Sequence, residues 1–83
     1  MLVSVDISLY PNAEDFIPPI KAFIAQLNQY DDVQIETFPT STVIQGDFDR
    51  VMDILKVEMK AYRETHGMGI FVTKFLPAYQ ALD

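Results

Sequence analysis

From Leu2 to Tyr10 apolar and polar side chains alternate without a break. Val3, Val5, Ile7 and Leu9 fall on one side, and Ser4, Asp6, Ser8 and Tyr10 on the other. A period of two over this length predicts a strand with one face against a core. Pro11 and Asn12 end it. The period then changes: Ile17, Ile20, Ile24 and Leu27 recur at three and four, flanked by Phe16 and Phe23, which predicts an amphipathic helix. Asp15 is the expected N-cap, and Pro18 and Pro19 are tolerable only in a first turn, where backbone N–H groups lack partners anyway. Tyr30-Asp31-Asp32 reads as the exit turn.

Val33 to Phe38 predicts a second strand, Pro39-Thr40 a turn and Ser41 to Gln45 a third strand. Gly46-Asp47 opens a second helix, with Asp47 placed to accept from first-turn amides. Its apolar positions are Phe48, Val51, Ile54, Leu55, Met59 and Tyr62. Asp49 and Asp53 lie early, and Lys56, Lys60 and Arg63 late, as the helix dipole favours. His66-Gly67 closes the helix, and Met68 to Phe75 predicts a fourth strand. A short tail from about residue 77 contains Tyr79 and Leu82.

The order is β-α-β-β-α-β. Two right-handed crossovers place both helices on one face of an antiparallel sheet ordered 4-1-3-2, an α+β sandwich of the ferredoxin-like kind. A single domain spans residues 1–83. On this plan the first strand is central, and Ser4, Asp6, Ser8 and Tyr10 project from the middle of the face the helices leave open. The second strand adds Gln34, Glu36 and Phe38. Alternation does not settle the third strand, where either Ser41, Val43 and Gln45 or Thr42 and Ile44 face the open side. The fourth strand is apolar on both sides, with Met68, Ile70 and Val72 on one and Phe71 and Phe75 on the other. A strand of that kind is usually covered twice. The expected cover of the open face is a second copy, or a ligand held between copies.

Composition narrows the classes of function. A chain of 83 residues builds only a thin core by itself, so self-association is expected. The net charge of −6 argues against nucleic acid and anionic membranes as partners, and makes a neutral or cationic ligand easier to hold than an anionic one. With no cysteine, disulfides, thiolate catalysis and cysteine metal sites are ruled out. No apolar run approaches membrane-spanning length and no leader-like segment is legible, so a cytoplasmic location is expected.

Signals for catalysis are thin. The lone His66 sits where an imidazolium favours a helix terminus, and nothing in the sequence pairs it with a nucleophile. Asp31-Asp32 lacks the further oxygen ligands of a calcium loop. Asp49 and Asp53 suit a solvated helical turn. Ser8 and Ser41 lack the glycine-flanked turn of a nucleophile elbow, and no phosphate loop is present. Neither a metal nor a cofactor is expected, and the chain reads as a binding protein rather than an enzyme. Ser, Asp and Tyr beside aromatics suit the orientation of a small polar ring.

Three segments carry a resemblance: Ser8-Leu9-Tyr10-Pro11, Asp15-Phe16-Ile17 leading to Lys21, and Ser41-Thr42-Val43 leading to Gly46. Asp49, Val51, Asp53 and Lys56 extend it, so that it covers roughly residues 3–75. The chain resembles the YkoF-like family of thiamin/hydroxymethylpyrimidine-binding proteins. That resemblance implies a ferredoxin-like domain holding the pyrimidine part of thiamin on the open sheet face. It also implies a homodimer or homotetramer, since a single copy would have to pair sheet to sheet. The positions matching the motifs are Ser8, Tyr10, Ser41 and Thr42. Asp6 and Glu36 join them by facing, as carboxylates able to accept an exocyclic amine. Tyr10, Phe38, Phe71 and Phe75 are candidates to stack the ring. The alternative reading is a structural or regulatory module whose open face only assembles.

Overall fold

The computed structural model describes residues 1–83, in the order β1 (Leu2–Pro11), α1 (Ile17–Leu27), β2 (Gln34–Thr37), β3 (Thr42–Asp47), α2 (Phe48–His66) and β4 (Gly69–Pro77). The strands form one antiparallel sheet ordered β2-β3-β1-β4, the expected 4-1-3-2 arrangement read from the other edge. Register sorts the side chains into rows, because residues directly opposite one another share a face. Val5 stands between Ile44 and Phe75, and Ile35 continues that row on β2. The next row runs Lys74, Asp6, Val43, Glu36, and the row beyond Asp6 toward the start of β1 runs Leu76, Ser4, Gln45, Gln34.

Both helices lie over the first kind of row. Val3, Val5, Ile7 and Ile44 form one buried cluster with Phe23 and Leu27 of α1 and Val51, Ile54, Leu55 and Tyr62 of α2. This settles the third strand: Thr42 and Ile44 point under the helices, while Val43 and Gln45 point away. It also corrects the reading of β4. Phe71 pairs with Leu9 and Phe75 with Val5, so both lie on the helix side. The Phe71 ring packs 5.1 Å from Phe23 and 5.5 Å from Tyr62, as part of the core. On β4 the open face instead carries Ile70 and Val72, opposite Tyr10 and Ser8.

The helix ends follow local chemistry, with one correction. Asp15 does not cap α1; Phe16 holds the cap position and no side chain bonds there. The physical reason is that a capping oxygen accepts from the second or third helical N–H. Those residues are Pro18 and Pro19, which have none. At α2 the expected cap forms, Asp47 accepting from the Arg50 amide at 3.2 Å. Gly67 ends α2 at φ 85°, and its N–H donates to Arg63 O at 3.2 Å. Close approach demands Gly46, where a Cβ would sit 2.8 Å from Val33 Cγ1.

The open face is not left bare. Beyond Ala78, at φ 55°, residues 79–83 turn back and pass over β1, β3 and β2 in turn as a strap. Ser4 on β1 bonds Tyr79 O at 2.6 Å and accepts from the Ala81 N–H at 3.0 Å. Gln45 on β3 grips Leu82 twice, accepting its N–H at 2.8 Å and donating to its carbonyl at 3.2 Å. Gln34 on β2 donates to Asp83 O at 2.7 Å. The strap covers the Ser4 row, and the face beyond it from Asp6 to Tyr10 stays open. No helix is long and apolar enough to cross a membrane.

Candidate functional site

The uncovered part of the open face holds a cleft of about 260 Å³, lined by Asp6, Ser8 and Tyr10 of β1, Thr40 and Ser41 of the β2–β3 turn, and Val72 and Lys74 of β4. β1 presents its three residues because strand parity sends every second side chain to this side. The turn is held against β1 by Ser8, whose hydroxyl donates to Thr40 O at 3.0 Å. Two segments more than thirty residues apart are thereby brought to one place.

Asp6 is the anomaly of this surface. Its Oδ1 is shielded from solvent and has no hydrogen-bond partner. Lys74 stands directly opposite in the register but forms no ion pair with it; the two ion pairs of the molecule are Met1–Asp47 and Arg50–Asp32. A shielded carboxylate oxygen with no donor is costly and calls for an explanation. Around it Tyr10, Ile70 and Val72 are each about half exposed, forming an apolar margin along β4, whose outer edge is unpaired.

A second cavity, of about 180 Å³, opens at the same end of the sheet but on its helix side. Phe38 and Thr42 line it together with Ile20, Phe23 and Ile24. Thr42 is buried, with its Oγ1 3.2 Å from Thr37 Oγ1. Ser8, Thr40 and Ser41 border both cavities and so form the wall between them.

The expected residues therefore divide. Asp6, Ser8, Tyr10 and Ser41 meet in the open-face cleft. Thr42 and Phe38 belong to the helix-side cavity. Glu36 lines neither, standing on the edge strand with Val43 between it and Asp6. Thr40, Val72 and Lys74 complete the cleft and were not expected there. For Val72 and Lys74 the missing signal was the register of β4 against β1, which alternation alone does not give. Thr40 enters because Ser8 pulls the turn inward.

Comparison with known proteins agrees with the strand and helix order. The fold is shared with a solved protein of Streptococcus pneumoniae, SP2199, at 25% identity and TM-score 0.86, covering 95% of this chain and 89% of that one. It is shared with a Thermotoga maritima protein assigned provisionally to thiamine biosynthesis or salvage, at 22% identity and TM-score 0.83, over 98% and 86% of the two chains. A Methanocaldococcus jannaschii protein of no stated function follows at 19% identity and TM-score 0.77, over 99% and 84%. No curated protein sequence matches the chain. The profile of one family runs from the first strand to the fourth, through both segments that meet at the cleft: over residues 2–74 the chain matches the YKOF-related family, and it belongs to that family.

Proposed function

We propose that this domain binds thiamin or its hydroxymethylpyrimidine moiety in the open-face cleft, as a homo-oligomer and without catalysing a reaction on it. The observation that carries the reading is the meeting of Ser8–Tyr10 with Thr40–Ser41 around a carboxylate oxygen that lacks a donor. An aminopyrimidine supplies what is missing, since its exocyclic amine donates to Asp6 while ring nitrogens accept from hydroxyls. Tyr10 offers a ring face for stacking. Family membership and the thiamine assignment of the Thermotoga maritima protein support the ligand class. Lys74 refines it: an ammonium beside Asp6 leaves the cleft close to neutral, which suits the uncharged hydroxymethylpyrimidine better than a thiazolium. A second copy is the proposed cover for Tyr10, Ile70 and Val72, docking beside the strap rather than over it.

A second placement of the same ligand is favoured by the helix-side cavity, which is mainly apolar with hydroxyls at one end, the usual make-up of a small-molecule site. Calorimetric titration with hydroxymethylpyrimidine and thiamin tests the function, and variants choose the site. Asp6→Ala is expected to abolish binding with the fold intact by circular dichroism, and Thr42→Val to leave it unchanged; the reverse pattern moves the ligand to the helix side. No heat of binding from either compound, at high protein concentration, would refute the ligand and leave assembly as the function of the face.

A further inference from the structure

On the opposite side of the molecule, away from the sheet, α1 and α2 leave a groove of about 280 Å³ between them. Its position follows from the sequence: Ala22 and Ala61, too small to fill the space, both line it. Phe23 and Tyr62 also line it, and both rings are buried. Along α2, Glu58, Tyr62 and His66 are spaced by four residues and so lie on one stripe.

Glu58 is not placed as an ordinary surface residue. It is only 8% exposed. Its Oε2 accepts the Tyr30 hydroxyl at 2.6 Å, a bond that raises the tyrosine pKa above its ordinary value. Its Oε1 has no donor within the protein, and no basic side chain pairs with either oxygen. Arg50 reaches the same corner, 5.3 Å over the Tyr30 ring, but is engaged with Asp32 at 2.6 Å. The oxygen wholly shielded without a partner in this groove is the Tyr62 hydroxyl; Glu58 Oε1 still opens to the groove, where a largely buried carboxylate with no counter-ion is best completed by a cation. Gln26 and Thr65 line the groove with further acceptors, and its one basic residue, His66, lies two helical turns along α2 from Glu58.

We propose that this inter-helical groove is a binding site for a small primary alkylammonium compound, its charged head on Glu58 and its alkyl part between Ala22 and Ala61. The head donates to Glu58 Oε1 and to the Gln26 and Thr65 oxygens. The net charge of −6 raises the local concentration of cations and assists the encounter. The site is independent of the sheet's open face and of the ligand proposed there.

The test is an NMR titration of the whole chain with butylammonium chloride, with 1-butanol as the neutral analogue and sodium chloride as the ionic control. Saturable amide shifts at Ala22, Gln26, Ala61 and Thr65 are expected with the ammonium, with a dissociation constant in the range of about 1–10 mM for so small a ligand. Butanol and sodium chloride should give none. Glu58→Gln keeps an acceptor for Tyr30 and removes only the charge, so the fold should stand and affinity should fall at least about tenfold. Ala61→Leu, which fills the groove and leaves the charge, should also abolish the shifts. Equal shifts from butanol, full affinity in either variant, or no saturation would overturn the proposal.

Discussion

Gln45 is the residue on which the open face turns, and replacing it with alanine separates the strap's contribution from that of the sheet. Its side chain makes three hydrogen bonds, accepting the Leu82 N–H and donating to Leu82 O and to Gln34 Oε1 at 2.9 Å, and its Oε1 also lies 2.8 Å from the Ser4 hydroxyl, whose single proton goes to Tyr79 O. At about 1 kcal/mol net for each, simple addition suggests a loss of about 3 kcal/mol. The strap imposes a lower ceiling. Docking it yields five hydrogen bonds to main-chain atoms and the burial of Leu82, which is 7% exposed. Together these are worth about 7 kcal/mol. Ordering five residues costs about 5–10 kcal/mol, so the strap is held only marginally. Once Gln45 is gone the strap detaches, its backbone is solvated, and no further loss follows.

The expected outcome is a destabilisation of about 1–2 kcal/mol for Gln45→Ala in urea unfolding, with the slope nearly unchanged. Deleting residues 79–83 should cost the same. In the shortened chain Gln45→Ala should cost less than about 0.5 kcal/mol, because its principal partners are already absent. Amide exchange at Ala81 and Leu82 should accelerate in the full-length variant to the rate of a free terminus. A Gln45→Ala cost of the same size in both backgrounds would refute the reasoning, since Gln45 would then act within the sheet. A cost well above that of the deletion would refute the ceiling.

Two further outcomes follow from the same geometry. Gly46→Ala places a methyl 2.8 Å from Val33 Cγ1 and should cost about 1–3 kcal/mol by denaturant midpoint, whereas alanine at Gly67 meets no atom within 4 Å and bears only the strain of φ 85°. The hydrogen bond from Arg50 holds the Asp32 carboxyl below its ordinary range. Its stabilising contribution is therefore present above the unfolded aspartate value of about 3.9 and is lost as pH falls through the lower folded value. Arg50→Gln should flatten that acid limb in stability measured between about pH 4 and pH 2.

What was legible in the sequence and what was not divide along a physical line. Where one residue's burial decides its type, reading succeeded: Val3, Val5, Ile7 and Leu9 face the helices, and Asp47 caps α2. Apolar character alone does not tell which face a side chain takes. Phe71 and Phe75 were candidates for the open side because β4 is apolar at both parities. Only its register against Leu9 and Val5 assigns them to the helices. The same ambiguity hid Lys74 from the cleft; Thr42, whose hydroxyl lies beside that of Thr37 on the helix side, was named from the motif match while the facing of the third strand stood open. Hydrophobicity can count faces, but only pairing can tell which face is which.

The strap escaped for a different reason. Every hydrogen bond that holds it runs to a main-chain atom of residues 79–83, so within that segment only the apolar side chain of Leu82 marks a docked element. Its signature lies in the receptor. Ser4, Gln45 and Gln34 form one row across three strands, each with a neutral side chain that both donates and accepts. A row made to face water has no need of that uniformity, and one made to lie against an apolar sheet could not tolerate it. Its chemistry matches an extended backbone, which offers N–H and C=O in alternation. The adjacent row, where Asp6 carries an unsatisfied oxygen opposite Lys74, is not matched to a backbone. It is therefore the row beside the strap, and not the whole open face, that is left for a ligand to complete.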